Sequence, residues 1–346
     1  MSGDTQASFS ASVRNTICSK YGHRCATCLN LLPEVSTQSA HVIDSASLES
    51  AVDLGLLSPN YLRSSPANGM ALCADCHVGF FTPDLIALAP ALPILQYILH
   101  YINHTPAANQ IPMHEVFDLL SQAMEGADVA LPDLDSVKPY LGLFTLVILR
   151  PSDVFGRCIS TQHLPELSIL QGDQFEIAPT GTSPVGENVA RIFDVQAIAA
   201  DPPPKSSGII PLSPKDPEFK EQRYWRLPLG IGAVCAALIA YVALESYTSH
   251  EICCAQEIMA VLVLRRLQRG PSSGGTIGPS GAGSSGGGAR LSGSHGGQHG
   301  SGPSGEKRSL ARSDCQPGTK KGRKQGGSRD GFITKLWQSL SARGKQ

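Results

Sequence analysis

A chain of 346 residues is long enough for two compact domains, but its 35 glycines and its charged fraction of 16% indicate that part of it need not fold. The formal net charge of −1 hides an asymmetry, because residues 270–346 carry twelve lysines and arginines against three acidic residues. The rest of the chain therefore has a net charge of about −10, and the basic tail is the part suited to an anionic partner such as nucleic acid.

The cysteines and the N-terminal residues bear on the cellular compartment. Four of the ten cysteines form two CxxC pairs, and the other six are scattered without regular spacing, which is typical of a reduced compartment. Residues 1–11 are polar and lack the basic and apolar regions of a secretory signal. The sequence therefore predicts an intracellular protein, nuclear or cytoplasmic.

The N-terminal third contains only short predicted elements. In chain order they are a helix over residues 12–21, a strand and turn over 31–43, a partly helical segment over 46–62, a loop over 64–69 and a helix from about residue 75. The last helix carries His77 and must be short, because Pro83 follows within two turns.

Larger apolar elements follow. They are a segment of helical period over residues 86–102 interrupted by Pro90 and Pro93, a helix over 116–124, strands over 140–150 and 175–178, a Pro-rich extended linker over 201–221 and a helix over 255–267. The two strands predict a small sheet, the core of a second, mixed α/β region.

Residues 227–244 form an uncharged stretch that has two interpretations. Its length of about 18 residues is marginal for a membrane span, which needs about 20 apolar residues. Pro228, Gly230 and Gly232 lie near its start and Glu245 lies at its end. A buried helix is one hypothesis and a membrane span is the other, and the stretch is also a candidate for contact with a membrane or a protein partner.

The C-terminal tail is predicted to be disordered over most of its length. Residues 271–305 are nearly all glycine and serine, which cannot bury enough apolar surface to offset the entropy of ordering. The basic run at residues 320–324 fits a nuclear import signal, a phosphate-contacting patch or a solvated charge run. Residues 332–346 predict an amphipathic helix that docks on a partner or membrane surface, or a weakly ordered end.

Two CxxC pairs predict a zinc site. A CxxC turn lets two thiolates reach one ion, and Cys25, Cys28, Cys73 and Cys76 together complete the tetrahedral shell that Zn²⁺ prefers. A closed shell of four ligands cannot activate water. The predicted zinc is therefore structural, and any chemistry falls to polar residues that it positions.

The order of motifs around these pairs resembles the HNH endonuclease family, in particular its fungal type. The resemblance covers residues 13–101 and depends on the CxxC pairs, on an Ala-His-Val-Ile segment at His41, on Asn68-Gly69 and on a terminal Leu-Cys-x-x-Cys-His-x-x-Phe that contains His77. It implies a ββα-metal fold, in which a hairpin delivers one histidine and a helix delivers the other. Zinc knuckles commonly brace that unit in this family.

The resemblance also implies a role for each residue. His41 would be the general base in cleavage of a phosphodiester bond, because an imidazole titrates near neutral pH. Asn68 would orient that imidazole or give its amide oxygen to the metal site. His77 would bind a catalytic divalent ion, Mg²⁺ or Mn²⁺. The chain departs from the family pattern at Ala40 and Phe81, where many members carry aspartate.

These observations predict an α+β protein and three functional hypotheses. The predicted regions are an HNH-like zinc domain (1–105), a mixed α/β region (106–200), the linker (201–221), an apolar helical region (222–269), the basic tail (270–331) and a C-terminal helix (332–346). The first hypothesis is a metal-dependent endonuclease acting on DNA. The second is a catalytically inactive zinc module that binds nucleic acid or protein, and the third is a membrane-anchored protein with a nuclease-like domain.

Overall fold

The computed structural model describes residues 9–33, 36–106, 109–161, 168–171, 174–176, 191–200, 207–212, 223–242 and 249–269. The chain divides into two units, Met1–Pro271 and Ser272–Gln346, and every described residue belongs to the first. The predicted disorder of the Gly/Ser-rich basic tail and the predicted C-terminal helix concern residues outside this described part.

Helices and strands are mixed along the first unit. The helices are α1 (Ala11–Lys20), α2 (Ser45–Asp53), α3 (Ala74–Cys76), α4 (Leu92–His104), α5 (Met113–Met124), α6 (Val195–Ala200), α7 (Ile231–Val242) and α8 (His250–Arg269). The strands are β1 (Gln38–His41), β2 (Gly69–Leu72), β3 (Ile86–Pro90), β4 (Leu143–Ile148), β5 (Cys158–Thr161), β6 (Ser168–Gln171), β7 (Gln174–Glu176), β8 (Arg191–Asp194), β9 (Gly208–Pro211) and β10 (Arg223–Arg226). The predicted α+β class is confirmed for the described residues.

Helix α1 packs on the antiparallel pair of strands β1 and β2, and it approaches β2 closely at one glycine. Ser10 caps the N-terminal end of the helix, because its hydroxyl accepts a hydrogen bond from the amide of Val13 at 3.3 Å. Strands β1 and β2 are antiparallel, with His41 opposite Gly69. A Cβ atom at Gly69 would lie 2.1 Å from Cδ1 of the buried Ile17, so a larger residue there would push α1 away from the hairpin.

The main sheet has six strands in the order β3-β4-β10-β8-β6-β7. Strands β10 and β8 run parallel, and the other neighbours run antiparallel. Its core includes Phe144, Phe193 and Trp225, and the rings of the last two stack at 5.3 Å. The indole Nε1 of Trp225 donates to the carbonyl of Thr27 at 2.9 Å, which ties the sheet to the first CxxC turn.

The segment of helical period over residues 86–102 is a strand followed by a helix. All five residues of β3 are buried, and they pair with β4 from Ile86 opposite Ile148 to Pro90 opposite Phe144. Helix α4 begins at Leu92, with a proline in its first turn, where no amide proton is needed. The helical prediction was wrong for β3, because a short continuous apolar run fits a buried strand as well as a helix.

The predicted Pro-rich linker contains a strand. Residues 208–211 form β9, which pairs antiparallel with β5 and places Ile210 opposite Ile159. Both isoleucine side chains are buried, which gives this small sheet an apolar side. Most of the rest of the linker, residues 201–206 and 213–221, lies outside the described residues.

Helix α7 accounts for most of the uncharged stretch over residues 227–244. It has 12 residues and packs against α2, α5, α8 and β3. Ile231, Val234 and Leu238 are each no more than 1% exposed. In the described part of the chain, no helix is both long enough and apolar enough to cross a membrane. The described part of this stretch therefore matches the buried-helix hypothesis.

Candidate metal and catalytic site

Two tight turns bring four cysteine sulfurs together. The Sγ atoms of Cys25, Cys28, Cys73 and Cys76 all lie within 4.8 Å of one another, and those of Cys28 and Cys73 are 3.7 Å apart. Tetrahedral zinc with Zn–S bonds of about 2.3 Å requires S···S separations of about 3.8 Å. All four cysteines are free thiols. The cluster could therefore hold a metal ion such as Zn²⁺.

Backbone hydrogen bonds hold the first CxxC turn against strand β2 and shape the second turn from within. In the first turn the amide of Ala26 donates to the carbonyl of Ala71 on β2 at 2.8 Å. In the second turn the amide of Cys76 donates to Sγ of Cys73 at 3.4 Å, and the amide of His77 donates to the Cys73 carbonyl at 2.9 Å. An amide directed at sulfur stabilises a thiolate. The turns are thus shaped to present charged sulfurs.

The four thiols compete for negative charge. Hydrogen bonds from Cys25, Cys28 and Cys76 hold the pKa of Cys73 well below its usual value. Hydrogen bonding with Cys25 is the largest of the effects that raise the pKa values of Cys28 and Cys76. Burial opposes the ionisation of Cys25, but hydrogen bonds with Cys28 and Cys76 lower its pKa as well, so negative charge is favoured on two of the four sulfurs. A divalent cation would allow all four sulfurs to ionise, which is the donor set that zinc requires.

His41 ends strand β1 in a half-buried position. Its ring stacks on Phe9, with centroids 4.0 Å apart and planes inclined by 17°. Its Nε2 atom is buried and has no hydrogen-bond partner among the described residues. Burial and, next, the Arg63 guanidinium lower the pKa of His41. The lowered pKa favours the neutral imidazole, which is the form that a general base requires.

Asn68 fastens the loop before β2 to the chain just after β1. The side chain is fully buried, and its Oδ1 accepts from the amide of Ile43 at 2.9 Å. Its Nδ2 donates to the carbonyls of Ile43 at 3.2 Å and Arg63 at 3.0 Å. Because the amide oxygen is engaged by backbone, this arrangement favours the positioning of His41 over the other predicted role, metal ligation.

His77 starts a π-helical turn, His77–Phe81, directly after the second CxxC turn. Its Nδ1 lies 2.5 Å from Oε1 of Gln38 on β1. With that oxygen as acceptor, the proton is on Nδ1 and the Nε2 lone pair is available. Burial lowers the pKa of His77, which also favours the neutral ring. Histidines that bind metals are commonly held through their second nitrogen in this way.

His41 and His77 line the same cavity, which has a volume of about 580 Å³. Two further side chains of its lining, Ser39 and Arg63, have buried polar atoms, Oγ and Nε, without a partner among the described residues. Polar groups that converge on a concave surface are typical of binding sites. The structure thus brings the two predicted catalytic histidines to one cavity and leaves Asn68 outside its lining.

Carboxylates line this cavity at positions that differ from the HNH pattern. Ala40 and Phe81 occupy the positions where many family members have aspartate, whereas Asp44 and Asp84 are in the cavity lining. Burial raises the pKa of Asp84, against a lowering effect of Arg150, and Asp44 adds to the increase. Two acidic groups of this cavity therefore influence each other.

These carboxylates do not complete a second metal site by themselves. In the part of the chain that the structure describes, the four cysteines are the only group of three or more His, Cys, Asp or Glu side chains close enough to share an ion. Asp44, Asp84 and His77 line one cavity without converging on one point. Any divalent ion held by His77 would need further ligands from water or substrate.

Sequence reasoning missed three side chains of this site: Gln38, Arg63 and Asp84. Gln38 holds His77 from the opposite strand, and Arg63 acts on His41 from the loop before Asn68. Neither residue stands at a diagnostic sequence spacing from the motif. Each acts on a histidine that is distant in sequence, and only the fold brings the two together. The sequence contained a signal only for Asp84, which follows the terminal Phe of the motif within four residues.

Comparison with known proteins supplies no relative. No family model, no curated protein and no solved structure matches the chain. The cysteine cluster and the histidine cavity are therefore the observations from which function can be inferred.

Proposed function

We propose that this chain is a metal-dependent endonuclease of the HNH type that hydrolyses phosphodiester bonds in DNA. One observation carries the proposal: the antiparallel strands β1 and β2 and the helical turn after them place His41 and His77 on one cavity, and the last cysteine of a four-cysteine cluster directly precedes His77 in the chain. The resemblance to HNH endonucleases implies the same order of elements, two strands followed by a helix. The cluster would then brace the site, as zinc knuckles do in that family.

In this proposal His41 takes the proton of the attacking water. Its Nε2 has no partner among the described residues, and its lowered pKa keeps the ring ready to accept a proton at neutral pH. Asn68 holds the backbone two residues beyond His41 and so limits movement of the ring. A general base of this kind contributes a factor of about 10² to 10⁴ in rate.

His77 would offer Nε2 to Mg²⁺ or Mn²⁺, with Gln38 fixing the orientation of the ring. Such a cation, when bound, stabilises negative charge on the phosphate in the transition state. Mg²⁺ usually keeps several waters and takes oxygens from substrate phosphates, so one protein nitrogen is compatible with an open site.

The cavity also has positive charge suited to a phosphate. Arg14 and Arg63 both contribute to its lining. The Nε atom of Arg63 is buried without a partner among the described residues, and a guanidinium group in such a lining is suited to binding a phosphate. The same guanidinium lowers the pKa of His41. Arg63 would thus attract the substrate and keep the base neutral.

The second candidate function is a catalytically inactive zinc module that binds nucleic acid or protein. It is favoured by the lack of a carboxylate that joins His77 in a metal-binding group among the described residues. The ring of Phe9 also covers one face of His41. In such a module the cysteine cluster would stabilise a binding surface, and no bond would be cleaved.

Nicking of supercoiled plasmid separates the two candidates. An endonuclease would nick with Mg²⁺ or Mn²⁺ but not with EDTA, and His41→Ala would lower the rate by about 10² to 10⁴ without loss of zinc. His100→Ala, which changes an exposed histidine on α4, is the matched control and should keep the wild-type rate. If the wild-type protein does not nick, or if His41→Ala nicks equally well, the endonuclease proposal fails.

A further inference from the structure

A second cavity, of about 520 Å³, lies elsewhere in the first unit. It shares no lining residue with the cavity of His41 and His77. Its walls are the loop after α2, one face of α5 and the connection from β10 into α7. Its volume is within the range of cavities that bind small organic molecules, which is about 300 to 1,000 Å³.

Two polar atoms in this second cavity are buried without hydrogen-bond partners among the described residues. They are the hydroxyl of Tyr61 and Nδ1 of His114. Burial raises the pKa of Tyr61, so the hydroxyl keeps its proton and can donate. By contrast, the hydroxyl of the nearly buried Tyr97 donates to the carbonyl of Pro132 at 2.8 Å. The Tyr97 hydroxyl therefore has a hydrogen-bond partner in the fold, whereas the Tyr61 hydroxyl has none among the described residues.

Part of the lining of the second cavity is apolar. Leu56, Leu57, Phe117, Leu227 and Leu229 line it, and each is at most 4% exposed. A ligand with an apolar body could pack on these side chains while a polar group reached Tyr61 and His114. An apolar wall with a few convergent polar groups is the usual composition of a small-molecule site.

Charge at the rim selects against anions. Asp118 lies on α5 and Glu125 directly follows its last residue, and both belong to the lining of the cavity. Arg226 of the rim is within 3.7 Å of Asp194, so its charge is partly compensated. Lys20 is the remaining cation of the lining. Apart from the Arg226–Asp194 pair, the lining has two carboxylates, Asp118 and Glu125, against one ammonium group, Lys20, and this balance favours a cationic ligand.

We propose that the second cavity binds a small organic amine with an apolar, preferably aromatic, body. The body packs against the leucines and Phe117, a polar group hydrogen-bonds to the Tyr61 hydroxyl and His114 Nδ1, and the ammonium group faces Asp118 and Glu125. This site is independent of the proposed nuclease activity.

Two probes that differ only in charge test the proposal on the full-length protein. Tyramine carries an aromatic body and an ammonium group, and 3-(4-hydroxyphenyl)propionate carries the same body and a carboxylate. Titrations followed by NMR of the ¹⁵N-labelled protein should show tyramine bound about tenfold more tightly than the propionate. Failure of tyramine to saturate by about 10 mM, or equal binding of both probes, would overturn the proposal.

Tyr61→Phe separates a binding role of the hydroxyl from a structural role. It should weaken tyramine binding about five- to tenfold while leaving the thermal midpoint unchanged or raised, because it removes an unsatisfied buried group. Tyr97→Phe, the matched control, should keep tyramine binding and lower the midpoint by about 2 to 4 °C. If Tyr61→Phe keeps full tyramine affinity, or lowers the midpoint as much as Tyr97→Phe does, the assignment is wrong.

Discussion

Three polar atoms around the histidine cavity lack partners among the described residues: Ser39 Oγ, His41 Nε2 and Arg63 Nε. A buried polar atom in this state costs about 1 to 3 kcal/mol relative to one that is hydrogen-bonded. Nearly all such atoms in a well-packed interior are paired, and three of those that are unpaired among the described residues belong to the lining of this one cavity. A ligand that bonded to them would recover much of this free energy, which connects the stability of the fold with binding at the site.

The first prediction concerns the charge that acts on His41. Arg63→Gln should raise the pKa of His41 part of the way toward 6.5, because the guanidinium charge is lost while burial of the ring remains. The pKa can be measured by following the His41 ring protons in an NMR pH titration. Arg14→Gln, which removes another positive charge from the cavity lining, should leave this pKa close to the wild-type value.

The lowered pKa of His41 also determines whether the folded protein gains or loses stability as the pH falls. Because the pKa of His41 is lower in the folded protein, the unfolded chain takes up a proton first as the pH falls through about 6.5. His41 therefore contributes stability above that pH and loses it below. An unchanged pKa of His41 in Arg63→Gln would mean that burial alone accounts for the shift.

The candidate site could be predicted from sequence only where its residues belong to a spaced motif. His41 and His77 were found because each stands next to a recognisable signal, and both line the cavity. Asn68 was also found, but its backbone contacts could not be predicted because they depend on how the loop folds over Ile43. Gln38 acts on His77 and Arg63 acts on His41 over long sequence distances, which no local pattern encodes.

The CxxC turns and the sheet are coupled as elements. Trp225 of β10 donates its indole proton to Thr27, which lies inside the first CxxC pair, and both residues are buried. A disturbance of the cysteine cluster should therefore reach the sheet core through this bond. The cluster and the sheet would then unfold together rather than separately.

The second prediction is that metal binding supports this coupled structure. Cys73→Ser should lose bound zinc and shift the fluorescence of Trp225 toward that of an exposed indole, because structural zinc contributes on the order of 10 kcal/mol to a small fold. Zinc is measured by elemental analysis. Since the chain has two tryptophans, fluorescence is measured in a Trp337→Phe background.

Cys158→Ser is the matched control for this prediction, because Cys158 is a free, exposed cysteine outside the cluster. It should keep both the zinc and the native fluorescence. Wild-type protein that is folded and free of zinc would contradict the prediction. So would a Cys73→Ser protein with the same zinc content as the wild type.

At the level of elements, amphipathic helices were easier to predict than buried strands. Helix α5 was expected over residues 116–124 and spans Met113–Met124, because its polar and apolar faces alternate with a helical period. Strand β3 has no polar face, since all five of its residues are buried, and so it has no period to detect. Its final Pro90 is tolerated because β3 is an edge strand.

The whole first unit is built from segments that are distant in sequence. The six-stranded sheet takes β3 from the predicted zinc domain, β4 and β8 from the mixed region, and β10 from the apolar helical region. Strands that are distant in sequence pair here because they bury apolar side chains in the same core. This kind of pairing leaves no signal in the local sequence. The α+β class could therefore be predicted, whereas the strand order could not.

The third prediction assigns nonspecific DNA affinity to the basic tail. Since residues 270–346 carry a net charge of about +9 and the rest of the chain is acidic, duplex binding should weaken steeply with salt, by about 0.9 log units per log unit of salt for each phosphate neutralised. Deletion of residues 270–346 should weaken binding and flatten the slope. A salt titration of duplex binding measures both quantities.

A second deletion tests whether the charge of the tail, rather than its length, causes the salt dependence of DNA binding. Removal of residues 271–305 takes away Arg290 as its one charged residue and leaves the basic residues 307–345 in place. It should keep nearly the full salt slope, because counterion release depends on the number of phosphates neutralised. If the long deletion leaves the slope of the full-length protein unchanged, the tail does not contact DNA, and its positive charge must serve import or protein docking instead.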